Sequence, residues 1–357
     1  MQKTRAAAIA AAVSLTMTGV AAGGMPASGQ SVAQVGRISA VVMESPSDSL
    51  TYWYQQIGQQ GWRSEVVAGA DTTYAEPSVA WLRNSSIVAA QGPDRSLTFY
   101  SQTVNTARWN PEPVAGSGTT YSAPSLAQSA TAAEIAAQGP SDSLDFYYQP
   151  AGQQWWSPAQ VAGNGTTYSA PSVAQVGNSA VIAAEGPNHS LDFYYRPLNG
   201  QGWHSEQVAG NGTTYSAPSI AQVGSSSVIA VEGQNNSLVF YYQPIGARQW
   251  SPAELVAGSG STWSAPSVTQ VATSSVIAVE GPNRMLYFYY QPIGAGQWSP
   301  AQVVAGVGTT DAAPSITSVA RTSVIVTEGP GGCANFYYQP AGAKQWHGPE
   351  MVNCRYL

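Results

Sequence analysis

The sequence predicts an all-β protein, a seven-bladed β-propeller with four antiparallel strands per blade and one repeat of about 47 residues per blade. Three observations predict it. Seven tryptophans, Trp62, Trp109, Trp156, Trp203, Trp250, Trp298 and Trp346, are spaced 47, 47, 47, 47, 48 and 48 residues apart. The residue ten positions before each is an aromatic ring: Tyr52, Phe99, Phe146, Phe193, Phe240, Phe288 and Phe336, a column that holds all six phenylalanines of the chain. Every repeat also carries short β-prone runs punctuated by Gly, Pro and Asn, and no window holds a helical period over ten residues.

The repeats run 29–72, 73–119, 120–166, 167–213, 214–261, 262–309 and 310–357. In the fourth, "PSVAQV" (171–176) opens on a proline, tolerated where a strand begins, and supplies the small residues suited to a crowded axis. "SAVIAAE" (179–185) is the second strand and "SLDFYYR" (190–196) the third. "WHSEQVAG" (203–210) is the fourth, and "NGTTYSA" (211–217) leads to the next repeat. Along the third strand Leu191, Phe193 and Tyr195 point to one neighbouring blade and Tyr194 to the other, so rings fill the wider outer radius. From Trp to the closing Gly there are seven steps in the first four repeats and eight in the fifth and sixth. The extra residue is most easily absorbed as a bulge on an edge strand, which puts the fourth strand outermost. An open β-solenoid is the alternative architecture.

Residues 1–28 stand apart as a signal peptide and short leader. Lys3 and Arg5 precede an uncharged, small-residue run from Ala6 to Ala22 that ends on Val20-Ala21-Ala22. The alternative is an uncleaved anchor, for which a run this rich in Ala and Thr is a weak span. No later segment is long and apolar enough to cross a bilayer, so membrane insertion is not expected and a secreted, extracellular protein is. Cys333 and Cys354 are equidistant from the "AGAK" turn (341–344) and face each other across a hairpin. They are expected to form a disulfide, consistent with export, with a pair of free thiols as the alternative.

Composition narrows the function. The chain of 357 residues is 43% hydrophobic and 9% charged, with a net charge of −6 and only two lysines, Lys3 and Lys344. It therefore has a core but no basic stripe for nucleic acid. His189, His204 and His347 fall in different repeat columns, and there is no metal-ligand series, nucleophile elbow, P-loop or dinucleotide fingerprint, so no cofactor or metal is expected. An enzymatic site breaks repeat symmetry, and the unique polar residues Asp71, Arg83 and Arg321 form no paired acid and base; no catalytic residue is assigned.

Two polar columns remain. One closes the second strand: Glu44, Gln91, Gln138, Glu185, Glu232, Glu280 and Glu328. The other lies in the inter-repeat loop: Tyr74, Tyr121, Tyr168, Tyr215, Trp263 and Asp311. Both belong to one face of the disc, so a carboxylate or amide and a ring meet at each seam, with the Trp column nearer the other face. Rings offer a stacking surface and carboxylates accept paired hydroxyls, which suits a sugar. The candidate ligand residues are Glu44, Glu185, Glu232, Glu280, Glu328, Tyr121, Tyr168, Tyr215 and Trp263. The same residues can serve the fold alone, Glu185 by capping the "GPNHS" turn and Tyr215 by packing its loop.

The string "SAPSVAQVGNSAVIAAEGPNHSLDFYYRPLNGQGWHSEQVAG" resembles the repeat of seven-bladed propeller lectins typified by the Photorhabdus lectins. Shared are the x-x-P opening strand, the turn before an aromatic strand, G-x-W and the closing Gly, over residues 31–357. The resemblance implies fucose-type sugars bound in clefts between blades through aromatic and polar side chains. Gln91, Gln138, Ser101 and Asp311 depart from the pattern and set some clefts apart. The expectation is a secreted, monomeric or small-oligomeric lectin with weak, multivalent glycan sites. A protein-interaction scaffold is the alternative, and a glycosidase or lyase a remoter one.

Overall fold

Each repeat folds into one four-stranded antiparallel sheet in the computed structural model, which describes residues 30–354 apart from positions 46, 105, 107, 199 and 201. The leader at 1–28 lies outside the described residues. All seven sheets are built from four consecutive strands in simple meander order. Blade four runs Ser172–Val176, Ser179–Glu185, Leu191–Pro197 and His204–Ala209, close to the four strands read from its sequence. First strands touch one another in series around the axis, the last touching the first, so the sheets close into a wheel.

Close packing at the axis depends on small side chains. A Ser at the head of each first strand accepts, through Oγ, a backbone N–H from the first strand of the next blade. The bonds run from Val79 N to Ser31 (3.1 Å) through Ile220 N to Ser172 (3.1 Å) to Val32 N on Ser315 (3.4 Å), in all seven seams. These N–H groups lie on the inner edge of each sheet, where no strand pairs with them, and an orphaned buried donor is costly. Two positions upstream, Ala123, Ala170, Ala217, Ala265 and Ala313 of five blades meet in one apolar cluster.

Larger residues fill the outer radius. Leu191, Phe193 and Tyr195 pack on Ile220, Ile229 and Tyr241 of blade five, while Tyr194 packs on Leu144 and Phe146 of blade three. The Trp of each blade sets its edge against the column ring of the blade before, as in Phe193–Trp250 at 4.9 Å and 73°. Phe336–Trp62, at 5.1 Å and 69°, repeats that contact across the seam between the last blade and the first.

The fourth strand is outermost, and two irregularities mark it. Every blade skips one residue near its closing end, as where Leu191 pairs Ala209 and Asp192 pairs Gln207. The extra residue of blade five is a second bulge. Ser251 N–H bonds Tyr242 O and Glu254 pairs Phe240, leaving Pro252 and Ala253 opposite Tyr241. Blade six repeats this at Ser299, and blade seven places Gly348-Pro349 opposite Tyr337. Cys333 pairs with Cys354 in that last hairpin and the two are disulfide-bonded.

The turn between second and third strands holds two successive left-handed residues, Asn188 (φ 55°) and His189 (φ 60°) in blade four. That geometry matches the twist of a tight hairpin. The inter-blade loop lies across it: Thr213 and Thr214 N–H groups bond His189 O, and Tyr215 N–H bonds Glu232 O of the next blade. Among the described residues no helix is long and apolar enough to cross a membrane.

Candidate functional site

Each seam between blades has two edges, and each edge gathers polar groups and rings. On the turn face, the residue four places after the second-strand carboxylate turns back toward it. Glu185 Oε1 bonds His189 Nδ1 at 2.7 Å, and the His189 ring stacks on Tyr215 of the following loop at 4.6 Å. Glu232 Oε1 accepts from Asn236 Nδ2 at 2.7 Å. Where the column holds an amide, Gln91 and Gln138 donate through Nε2 to the Thr120 and Thr167 carbonyls. Arg95 lies 4.3 Å over the Tyr121 ring, and Arg284 pairs with Asp311 at 2.6 Å where the loop ring is absent.

The structure thus brings Glu185 together with Tyr215, through His189. It places Glu232 and Trp263 in the next equivalent seam, with Glu280 beside the Arg284–Asp311 pair; burial raises the pKa of Glu232 and of Glu280. Tyr121, Tyr168, Tyr215 and Trp263 are exposed, Tyr168 to 49% and Trp263 to 54%. Glu44 and Glu328 close the second strands of blades one and seven and are half-buried. The Glu185 and Glu232 carboxylates are turned onto the turn residues His189 and Asn236, while the rings face solvent.

The opposite edge was not singled out from the sequence. Here a third-strand Gln of one blade meets a fourth-strand Glu of the blade before. Gln102 Nε2 donates to Glu65 Oε2 (2.5 Å), Gln149 to Glu112 (2.7 Å), Gln243 to Glu206 (2.9 Å) and Gln55 to Glu350 (3.3 Å). The Trp column reaches the same place: Trp109 Nε1 donates to Glu65 Oε2 at 3.3 Å. The equivalent Nε1 of Trp62, Trp156, Trp203, Trp250, Trp298 and Trp346 is buried without a protein partner. A period-47 register of the Gln that follows the third-strand rings and of Glu three or four residues after Trp is the signal that would have found this pair. Between blades four and five it lines a cleft of about 340 Å³ with Phe193, Tyr195, Glu206, Gln243 and Arg248.

The seam between blades three and four departs from this pattern. Arg196 stands in the Gln column and Ala159 in the Glu column. The Arg196 guanidinium lies over Phe146 (4.8 Å), Tyr148 (5.4 Å) and Trp203 (5.4 Å). Glu134, fully buried, lies within electrostatic reach of it on the second strand of blade three. Burial pushes the Glu134 pKa up to about 7, against the pull of Arg196. A cleft of about 490 Å³ opens in this seam toward the turn face, lined by Thr166, Ser190, Asp192, Trp203, Ser205 and Gln207 among others. Burial also raises the pKa of Asp192, whose carboxylate accepts from Ser190 Oγ at 3.1 Å. Among the described residues no three His, Cys, Asp or Glu side chains are grouped to hold a metal.

No protein-family model and no curated protein matches the chain. Solved structures do. The BP39L lectin from Burkholderia pseudomallei is similar at TM-score 0.84 and 13% identity, over 92% of this chain and 100% of that one. A mutant Aleuria aurantia lectin in complex with α-methyl-L-fucoside is similar at TM-score 0.55 and 13% identity, over 92% and 95%. The β-propeller domain of a trilobed protease from Pyrococcus furiosus is similar at TM-score 0.55 and 9% identity, over 92% and 98%. The structural neighbours of this chain therefore include fucose-binding propeller lectins, and at such low identity what they share with it is the propeller fold.

Proposed function

We propose that the protein is a secreted, non-enzymatic carbohydrate-binding protein whose seam clefts each hold one sugar weakly and act together. The observation that carries this is the recurrence, at four seams, of a carboxylate hydrogen-bonded to an amide beside the ring columns, with an open cleft where blades four and five meet. Tyr195 beside Glu206 and Gln243, in a cleft of about 340 Å³, is the example. Rings stack on the apolar face of a pyranose, and a carboxylate with an amide accepts from and donates to neighbouring hydroxyls. The size of the clefts fits small ligands, and repetition around a wheel raises avidity by roughly 10²–10⁴ when several sugars sit on one surface. The exposed rings of Tyr168, Tyr215 and Trp263 give the turn face a second set of stacking surfaces.

Calorimetric titration with methyl α-L-fucoside and methyl N-acetyl-β-D-glucosaminide tests the reading, together with a glycan array. Binding of several sugars per chain is expected, much tighter on densely displayed glycans than on free ones. Tyr195→Ala should remove one site from the count, and Tyr215→Ala should remove a turn-face site. No heat with either sugar and an empty array would overturn the proposal.

A further inference from the structure

We infer that the seam between blades three and four receives the carboxylate of an acidic sugar, in the place that the Glu65 side chain fills between blades one and two. The inference rests on the carbohydrate-binding reading and specifies one seam within it. The repeat supplies its own comparison. Opposite the column ring, the rim position is Glu65, Glu112, Glu206, Glu254 and Glu350 in five blades, Gln302 in blade six and Ala159 in blade three. Between blades one and two, the Glu65 carboxylate accepts from Gln102 Nε2 and from Trp109 Nε1. The chain thus shows a carboxylate lodged between those two donor positions.

Between blades three and four the donors are kept and strengthened while the acceptor is withdrawn. Trp203 Nε1 is buried without a partner, as is every equivalent Trp Nε1 except that of Trp109, so the Arg196 guanidinium and the missing rim Glu are what set this seam apart. Arg196 replaces the amide with a guanidinium that makes no hydrogen bond among the described residues and is held against three rings. Ala159 leaves the carboxylate's position to an incoming group. The planar fork of an arginine suits a carboxylate. Glu134 stands behind Arg196 in a column of apolar residues and does not occupy the rim. In the five seams with a rim Glu, a second carboxylate meets like charge, and the seam with Gln302 at its rim has Gln339 in the amide column, so only the seam between blades three and four offers an arginine fork with no rim carboxylate.

The test is calorimetric titration of the full chain at low ionic strength with methyl β-D-glucuronoside, its neutral counterpart methyl β-D-glucoside, methyl α-L-fucoside and sodium acetate. The glucuronoside is expected to bind one site per chain at least about tenfold more tightly than the glucoside, at the level of one charge-assisted bidentate contact. Arg196→Gln and Ala159→Glu, each restoring the residue of other seams, should both abolish that preference. Near-native melting of either variant keeps the result free of unfolding. Equal binding of glucuronoside and glucoside, or a preference that survives Arg196→Gln, overturns the inference. Equal competition by acetate overturns it too, since the site would then take any carboxylate. If fucoside binds and the glucuronoside shows no preference, this inference alone fails; if no sugar binds, the carbohydrate reading fails with it.

Discussion

Glu134 occupies the column that holds Ala40, Ile87, Val181, Val228, Val276 and Val324 in the other blades, each opposite the third ring position. A carboxyl there is taken out of water, and its pKa rises to about 7 from an ordinary value near 4.5. The folded chain then holds this proton more tightly than the unfolded chain does. Between those two pKa values the folded state binds more protons, so stability falls as pH rises and the penalty is complete above about pH 7. The shift corresponds to about 3 kcal/mol at most. Thermal melts of the native chain and of Glu134→Gln at pH 5 and pH 8 check it. The native chain should lose more on going to pH 8, and the gap between the two should open across that range. The sequence reading found columns that repeat, and Glu134 and Arg196 were illegible to it because their meaning lies in departing from their columns together. Glu185 and Tyr215, by contrast, were legible as neighbours, since recurrence of both residue types at constant spacing places them at the same seam. The intervening His189 was not, because its column holds Asp48, Arg95, Asp142, Asn236 and Arg284 in other blades, so the turn repeats there but no residue type does.

At the level of elements, strand positions were legible from alternation, turn residues and the ring triplet. The bonds that tie one first strand to the next were not. A hydroxyl meeting a backbone N–H has no hydrophobic period, although the Pro-Ser step recurs at the head of most first strands. Ser172→Ala leaves the buried Ile220 N–H without its acceptor, at a cost of about 1–3 kcal/mol. A melting temperature lower by a few degrees, with unchanged far-ultraviolet dichroism, is the expected result. Removing Pro252 should be nearly neutral. Blade four already shows the shorter hairpin, in which Tyr194 pairs Ser205 with no residue to spare. A melting curve that coincides with the parent within about 1 kcal/mol, a surface-type effect, would bear this out.

Over the whole molecule, closure rests on the seam between the last blade and the first. It repeats the internal seams: Ser315 to Val32, Gln55 to Glu350, Phe336 against Trp62, and Gln34 Oε1 accepting from Ala320 N–H at 2.9 Å. The outer strand of blade seven ends the described chain, and its end is held by the Cys333–Cys354 disulfide across a sequence separation of 21. Removing that link by Cys333→Ala with Cys354→Ala frees a loop worth roughly 3 kcal/mol in the unfolded chain. Denaturant melts should show a lower midpoint for the double variant, and reductant should lower the parent's midpoint and leave the variant's unmoved. The wheel with seven sectors was legible because 47-residue self-similarity is a property of the whole sequence. The 13% identity to the Burkholderia lectin shows how little of the sequence that architecture requires. Among the described residues no strand is shared between the first and last blades, since each sheet is complete within its own repeat. The order in which the sectors are written is therefore arbitrary to the finished object. A circularly permuted gene, joining the present ends and opening the chain in any other inter-blade loop, encodes the same set of backbone pairings.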